Sequence, residues 1–193
     1  MLSPINVLLV TNYRTDEQKS MLRFSSSLFE YGKAIGINYK EIYPTRKLNF
    51  RQAPKKIKKW FGYADKFLLF KKRYTKEINR IKKSSGRNSI IHITDHSNSL
   101  YIPTQRSMPC ILTCHDMIAI RSSRGEFPNK RLSNTGKTLQ YLICSAIPKA
   151  DYIACDSNHT ESDLLAICPE TLGRTKTIHL GIMNNDDRPI KPT

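Results

Sequence analysis

INVLLVT, residues 5–11, is the stretch on which the fold turns. It is a short, unbroken apolar run, and its length and composition suit a strand buried on both faces of a parallel sheet. Downstream, residues 16–35 read as a helix with Met21, Phe24, Leu28, Tyr31 and Ile35 on one face and Gly36 as its stop. Residues 38–43 alternate and end at Pro44, giving a second strand. Further strands are expected at 89–94 (SIIHIT), at 110–114 (CILTC) after Pro109, at 151–155 (DYIAC) and at 176–180 (KTIHL), the last ending at Gly181. A helix is expected over 135–147, with Leu139, Leu142, Ile143 and Ala146 inward, ending before Pro148. Another should run to Ile167 from a cap at Ser157 or Asn158, with Glu161 completing a capping box if Asn158 is the cap. Strands alternating with helices point to an α/β fold: a Rossmann-like open parallel sheet, doubly wound with helices on both faces.

The 193 residues suit one domain, expected over 1–183, and 184–193 read as a polar, Pro-bearing linker or tail. Hydrophobic residues make up 39% and charged residues 25%, enough apolar material for a core, so disorder throughout is excluded. No run approaches the roughly 20 apolar residues of a membrane span. The first residues lack a basic n-region, which argues against a secretory signal. The five cysteines, Cys110, Cys114, Cys144, Cys155 and Cys168, are odd in number and scattered through apolar runs. They read as reduced thiols of a cytoplasmic protein.

The net charge of +16 is concentrated in one place. Residues 46–87 contain 16 Lys and Arg against two acids, Asp65 and Glu77, so this basic insert interrupts an otherwise nearly neutral domain. Ile57, Trp60, Phe61, Ala64, Phe67, Leu68, Tyr74, Ile78 and Ile81 recur at spacings of three and four, the stripe of one amphipathic helix or of two joined near Gly62 or Phe70. Ser84, Ser85 and Gly86 would close it. Three readings compete. The charges are a solvated face whose other side enters the core. Alternatively they face an anionic membrane, with Lys55, Lys56, Lys58, Lys59, Trp60, Lys72 and Arg73 toward the headgroups. Third comes nucleic acid, disfavoured because no RNA-binding or zinc-finger pattern accompanies the charge.

Ligands of open α/β sheets bind beyond the carboxyl ends of the strands. Here those ends read Thr11-Asn12-Tyr13-Arg14, Thr94-Asp95-His96-Ser97, Cys114-His115-Asp116 and Asp156-Ser157-Asn158. Two of them place a His beside an Asp. Gly136-Lys137-Thr138 resembles the end of a phosphate loop, but Arg131 stands where that loop needs Gly and no strand precedes it. The first strand is followed by no Gly-x-Gly-x-x-Gly. Cys110, Cys114 and His115 do not suit a metal, since 110 and 114 share a strand face that 115 leaves, and no metal site is expected. A Cys–His catalytic pair fails for the same reason.

LTCHDMIAIRSSRGEFP (112–128) resembles the His-Asp turn of group 1 glycosyltransferases of the GT-B fold. Three further pieces match in order. TNYRTDEQKSMLRFSSSL (11–28) is similar to that family's first strand, loop and helix. KADYIACDSNHTESDLL (149–165) resembles its Ala-Asp-x-Ile strand and following helix, and KTIHLGI (176–182) the close of its N-terminal domain.

The resemblance implies an acceptor-side, N-terminal half of a retaining glycosyltransferase. A C-terminal donor-binding domain, with its basic residues and Glu-x7-Glu motif, has no match in this sequence and would have to act in cis or in trans. The Gly-rich first loop of many members is replaced by Asn12-Tyr13-Arg14-Thr15. His115 is the expected catalytic residue, orienting a donor-sugar hydroxyl or the acceptor. Tyr13, Asp95, His96, Asp116, Arg121 and Arg124 are the expected acceptor-binding set, with Asp116 more suited to fixing the turn than to acting as a base. The donor is a nucleotide-sugar and no cofactor is implied. The acceptor is a glycan or a lipid-linked or cell-envelope saccharide, handled in the cytoplasm or at the inner membrane face. A lone, inactive binding domain is the alternative.

Overall fold

Six strands, β1 (Asn6–Val10), β2 (Asn38–Ile42), β3 (Ser89–Ile93), β4 (Cys110–Cys114), β5 (Tyr152–Cys155) and β6 (Thr175–Thr177), run in an open parallel sheet of order β2-β1-β3-β4-β5-β6. This computed structural model describes residues 5–16, 18–45, 65–85, 88–104, 108–129 and 132–181. The α/β, Rossmann-like class read from the sequence is what the protein adopts. Its chain forms two compact units, Met1–Thr94 and Asp95–Thr193.

In the first unit β1 lies between β2 and β3, in register from Asn6 opposite Asn38 and Ser89 to Val10 opposite Ile42 and Ile93. Val7, Leu8, Leu9 and Val10 are all buried, and consecutive strand residues point to opposite faces, so both faces of β1 are covered. Each such aliphatic side chain contributes about 1.5–3 kcal/mol by leaving water. Because the chain steps from β1 out to β2 and then back past β1 to β3, right-handed crossovers put the helices before β2 and before β3 on opposite faces.

The first of these helices, α1 (Lys19–Ala34), is rotated from the expected face. Tyr31 and Ile35 are exposed, at 49% and 45%, while Ser25 and Gly32 are buried. The cause is Tyr39 on β2, whose ring occupies the space a Cβ on Gly32 would need and packs 6.0 Å from the Phe29 ring, centroid to centroid. Gly36, at φ +81°, ends the turn after the helix as expected.

Of the basic insert, residues 65–85 are described. A π-helical turn, Asp65–Leu69, leads into α2 (Phe70–Ser85). Phe70, Tyr74, Ile78 and Ile81 are buried, which matches the expected stripe from Tyr74 onward. Leu68 departs from it and is 66% exposed, because the wider turn carries it off the face that α2 buries.

The second unit holds β4, β5 and β6, in register from Ile111 opposite Tyr152 to Cys114 opposite Cys155, and from Ile153 opposite Thr175 to Cys155 opposite Thr177. The last strand is shorter than the 176–180 expected. Its helices are α3 (Ile118–Ser123), α4 (Asn134–Ala146) and α5 (Asn158–Ile167). Ile143 and Ala146 on α4 point inward as expected, whereas Leu142 is exposed. Ser157 is the cap of α5, its Oγ accepting from Thr160 N at 3.1 Å. Glu161 instead accepts from the Thr177 hydroxyl, tying α5 to β6. Among the described residues no helix is long and apolar enough to cross a membrane.

Candidate functional site

The carboxyl ends of β4 and β5 are level, because Cys114 and Cys155 are register partners and Asp156 N donates to Cys114 O at 3.3 Å. The residues that follow, His115 and Asp156, therefore emerge side by side. Nδ1 of His115 stands 3.3 Å from Oδ2 of Asp156. A carboxylate only accepts, so this contact selects the imidazole tautomer with its proton on Nδ1 and fixes the ring plane. The His115 side chain is 7% exposed, so little room is left for the ring to turn.

The α5 cap extends the arrangement. Thr160 Oγ1 lies 3.0 Å from the carbonyl oxygen of His115, 3.1 Å from Oδ1 of Asp156 and 2.8 Å from Ser157 Oγ. Its single proton serves one of these acceptors at a time, and the network as a whole holds the backbone of one strand end and the carboxylate of the other. Such a shell, supporting one imidazole from a rigid strand end and helix start, is what precise positioning of a ligand requires.

Asp116 acts on the backbone: its Oδ1 accepts from Ile118 N at 2.9 Å and starts α3, as expected of a turn-fixing residue. Asp95 does the same for the 3-10 segment His96–Tyr101, accepting from Ser97 N at 2.9 Å. His96 is buried beside it, with Nδ1 3.4 Å from Asp95 Oδ1 in an alignment too poor for a hydrogen bond.

Arg121 does not stand open to an acceptor. Its Nη1 reaches both carboxylate oxygens of Asp163, at 3.0 and 2.8 Å, and its Nε donates to Glu126 at 2.6 Å. It ties α3 to α5, and the bonds to Glu126 first and Asp163 second raise its pKa above the usual guanidinium range. Arg124, at the end of α3, is exposed, with Nη2 3.8 Å from Cys144 Sγ.

Tyr13 belongs to the first unit, just past β1. It is 5% exposed, and Lys66 Nζ lies 5.2 Å from its ring centroid while pairing with Asp16. Of the expected membrane-facing residues, Lys55, Lys56, Lys58, Lys59 and Trp60 lie outside the described residues. Lys72 is exposed on α2. Arg73 is exposed as well, and its guanidinium donates to Tyr43 O and to Thr45 Oγ1 and lies 5.5 Å from the Phe70 ring centroid. It ties α2 to the end of β2.

The structure thus gathers His115 with Asp156, Ser157 and Thr160; Asp156 and Ser157 belong to an expected strand end, but none of the three is in the expected catalytic or acceptor-binding set. The signal for Asp156 was in the sequence: pairing β4 with β5 in parallel makes the first residue past each strand a neighbour. Among the described residues no three metal-ligating side chains gather into a possible ion site. No protein-family model matches the chain, and no curated protein is significantly similar to it.

Proposed function

We propose that this chain is the acceptor-side half of a retaining glycosyltransferase, taking a glycan or lipid-linked saccharide acceptor while a separate donor-binding domain, in cis or in trans, holds the nucleotide-sugar. The observation that supports this reading is the His115–Asp156 pair at the carboxyl ends of β4 and β5, the usual ligand edge of an open parallel sheet. Glycosyl transfer of this kind passes through an oxocarbenium-like state while negative charge grows on the departing diphosphate. It is served by positioning and electrostatic stabilisation more than by a strong base. His115, held by Asp156, orients a sugar hydroxyl by a hydrogen bond. Asp116 shapes the turn, and Arg124 is the exposed cation of the expected set.

The proposal predicts no turnover of a nucleotide-sugar by this chain alone. Binding measured by calorimetry against saccharides, lipid-linked saccharides and nucleotide-sugars tests the proposal. Binding of a saccharide class, weakened at least tenfold by His115→Ala, supports it. Tight binding or hydrolysis of a nucleotide-sugar by this chain alone contradicts it.

One observation favours a membrane-face location for the same half-site. Lys71, Lys72, Lys76, Arg80, Lys82 and Lys83 are all exposed on α2, while the apolar side of that helix is buried in its own unit. Attachment would therefore be electrostatic rather than by insertion, at about 1 kcal/mol per basic residue near an acidic surface. Liposome flotation checks this: recovery that rises with acidic lipid and falls with salt is expected, and equal recovery with neutral lipid sinks it.

A further inference from the structure

The sulfurs of Cys144 and Cys168 stand 3.8 Å apart, in contact, though 24 residues separate them in the chain. Cys144 projects from α4 and is partly exposed, whereas Cys168 is buried at the end of α5. The backbone holds each in place. Ile147 N donates to Cys144 O at the end of α4, and Cys168 N donates to Leu164 O at 2.7 Å. Thr171 Oγ1 donates to Cys168 O at 2.8 Å. Arg124, from α3, brings its Nη2 to 3.8 Å from Cys144 Sγ. A partly exposed thiol beside a guanidinium, with a second, buried thiol in contact with it, has the arrangement of an attacking and a resolving cysteine.

We propose that Cys144 and Cys168 form a thiol–disulfide exchange site for a small disulfide of the oxidised-glutathione class. The Cys144 thiolate attacks one sulfur of the disulfide, forming a mixed disulfide and expelling one thiolate. Cys168 then loses its proton to solvent and attacks the Cys144 sulfur, and the second thiolate leaves. Two protein thiols are oxidised and one small disulfide is reduced to two thiols. Closure needs the sulfurs to approach from 3.8 Å to about 2.05 Å.

The charges around the pair agree with this order of events. The sulfur–sulfur contact with Cys168 first, and Arg124 with it, lowers the Cys144 pKa to about 6, against the opposing effects of burial and of Glu170. The same contact, together with burial, pushes Cys168 far above the usual thiol range. These directions make Cys144 the readier of the two to act as the attacking thiolate, with Cys168 as the resolving thiol. The other close pair, Cys114 and Cys155 on adjacent strands, is wholly buried and offers no attacking sulfur.

Peptide mass mapping of the whole chain after treatment with oxidised glutathione at pH 7 tests the site. A Cys144–Cys168 linkage with loss of two hydrogens is expected in the wild type. Cys168→Ser should retain glutathione on Cys144, and Cys144→Ser should show neither product. Absence of the linkage from the wild type, or a Cys144→Ser chain that reacts as readily, overturns the proposal. A second measurement needs no variant. Alkylation of Cys144 by iodoacetamide should reach half its maximal rate near pH 6. A midpoint at the ordinary thiol value of about 8.5 counts against the site.

Discussion

Nδ1 of His115 and Oδ2 of Asp156 lie 3.3 Å apart, although 41 residues separate them in sequence. Two paired strands bring them together, so the contact is a product of sheet register rather than of any local motif. Removing the carboxylate should release the ring. In Asp156→Ala, nitrogen-15 spectra of the neutral imidazole should lose the Nδ1–H tautomer and move toward the Nε2–H form that histidine prefers in water. Retention of the Nδ1–H tautomer would show that Asp156 does not set it.

The cap beneath that pair has a separable energetic role. Ser157→Ala removes the acceptor for Thr160 N and one partner of the Thr160 hydroxyl. Loss of a helix cap of this kind costs about 1 kcal/mol. Urea denaturation should show that loss, with Ser157→Asp recovering most of it.

Packing of α1 on β2 rests on a missing side chain. A Cβ at Gly32 would overlap the ring of Tyr39, and the ring can give way only by disturbing its contact with Phe29. Gly32→Ala should therefore destabilise by about 1–3 kcal/mol, despite the better helix propensity of alanine. Combining it with Tyr39→Ala should make the Gly32 substitution neutral or favourable, a reversal readable from a double-mutant cycle.

Thiol reactivity should differ sharply along the chain. Burial first, and the charge of Asp151 second, push the Cys110 pKa up to about 12, so this thiol stays protonated at any ordinary pH. Alkylation of the native protein at pH 8 should leave Cys110 unmodified, and denaturation should expose it. Native-state labelling of Cys110 at the rate of Cys144 would contradict its placement.

Much of this architecture was legible because it is written in local patterns. The apolar run at β1, the alternating segment at β2 and the Pro-bounded segment at β4 each carry their own period and punctuation. The buried face of α1 is not legible from spacing, because Tyr31 and Ile35 fit the apolar period as well as the true face does. Only the ring of Tyr39, on a different element, turns the helix so that Gly32 is buried. The segment His96–Tyr101 and the short helix α3 span too few residues to show a period, and are set by the Asp95 and Asp116 side chains at their starts. His115 was legible as a strand-end residue, but its partner needed the pairing of β4 with β5. Arg121 looked available in sequence for the same reason: Asp163 and Glu126 close on it only in three dimensions.

Whether this strand-end histidine meets a saccharide is most directly measured by following the imidazole resonances of His115 during titration with acceptor saccharides. His159 and His179, both exposed on the same unit, serve as internal references. The acceptor-side assignment predicts that His115 shifts and saturates while the two references stay fixed, and that Asp156→Ala abolishes the saturable shift. An unmoved His115 under saccharide, with saturable shifts produced instead by a nucleotide-sugar or by RNA, would contradict it.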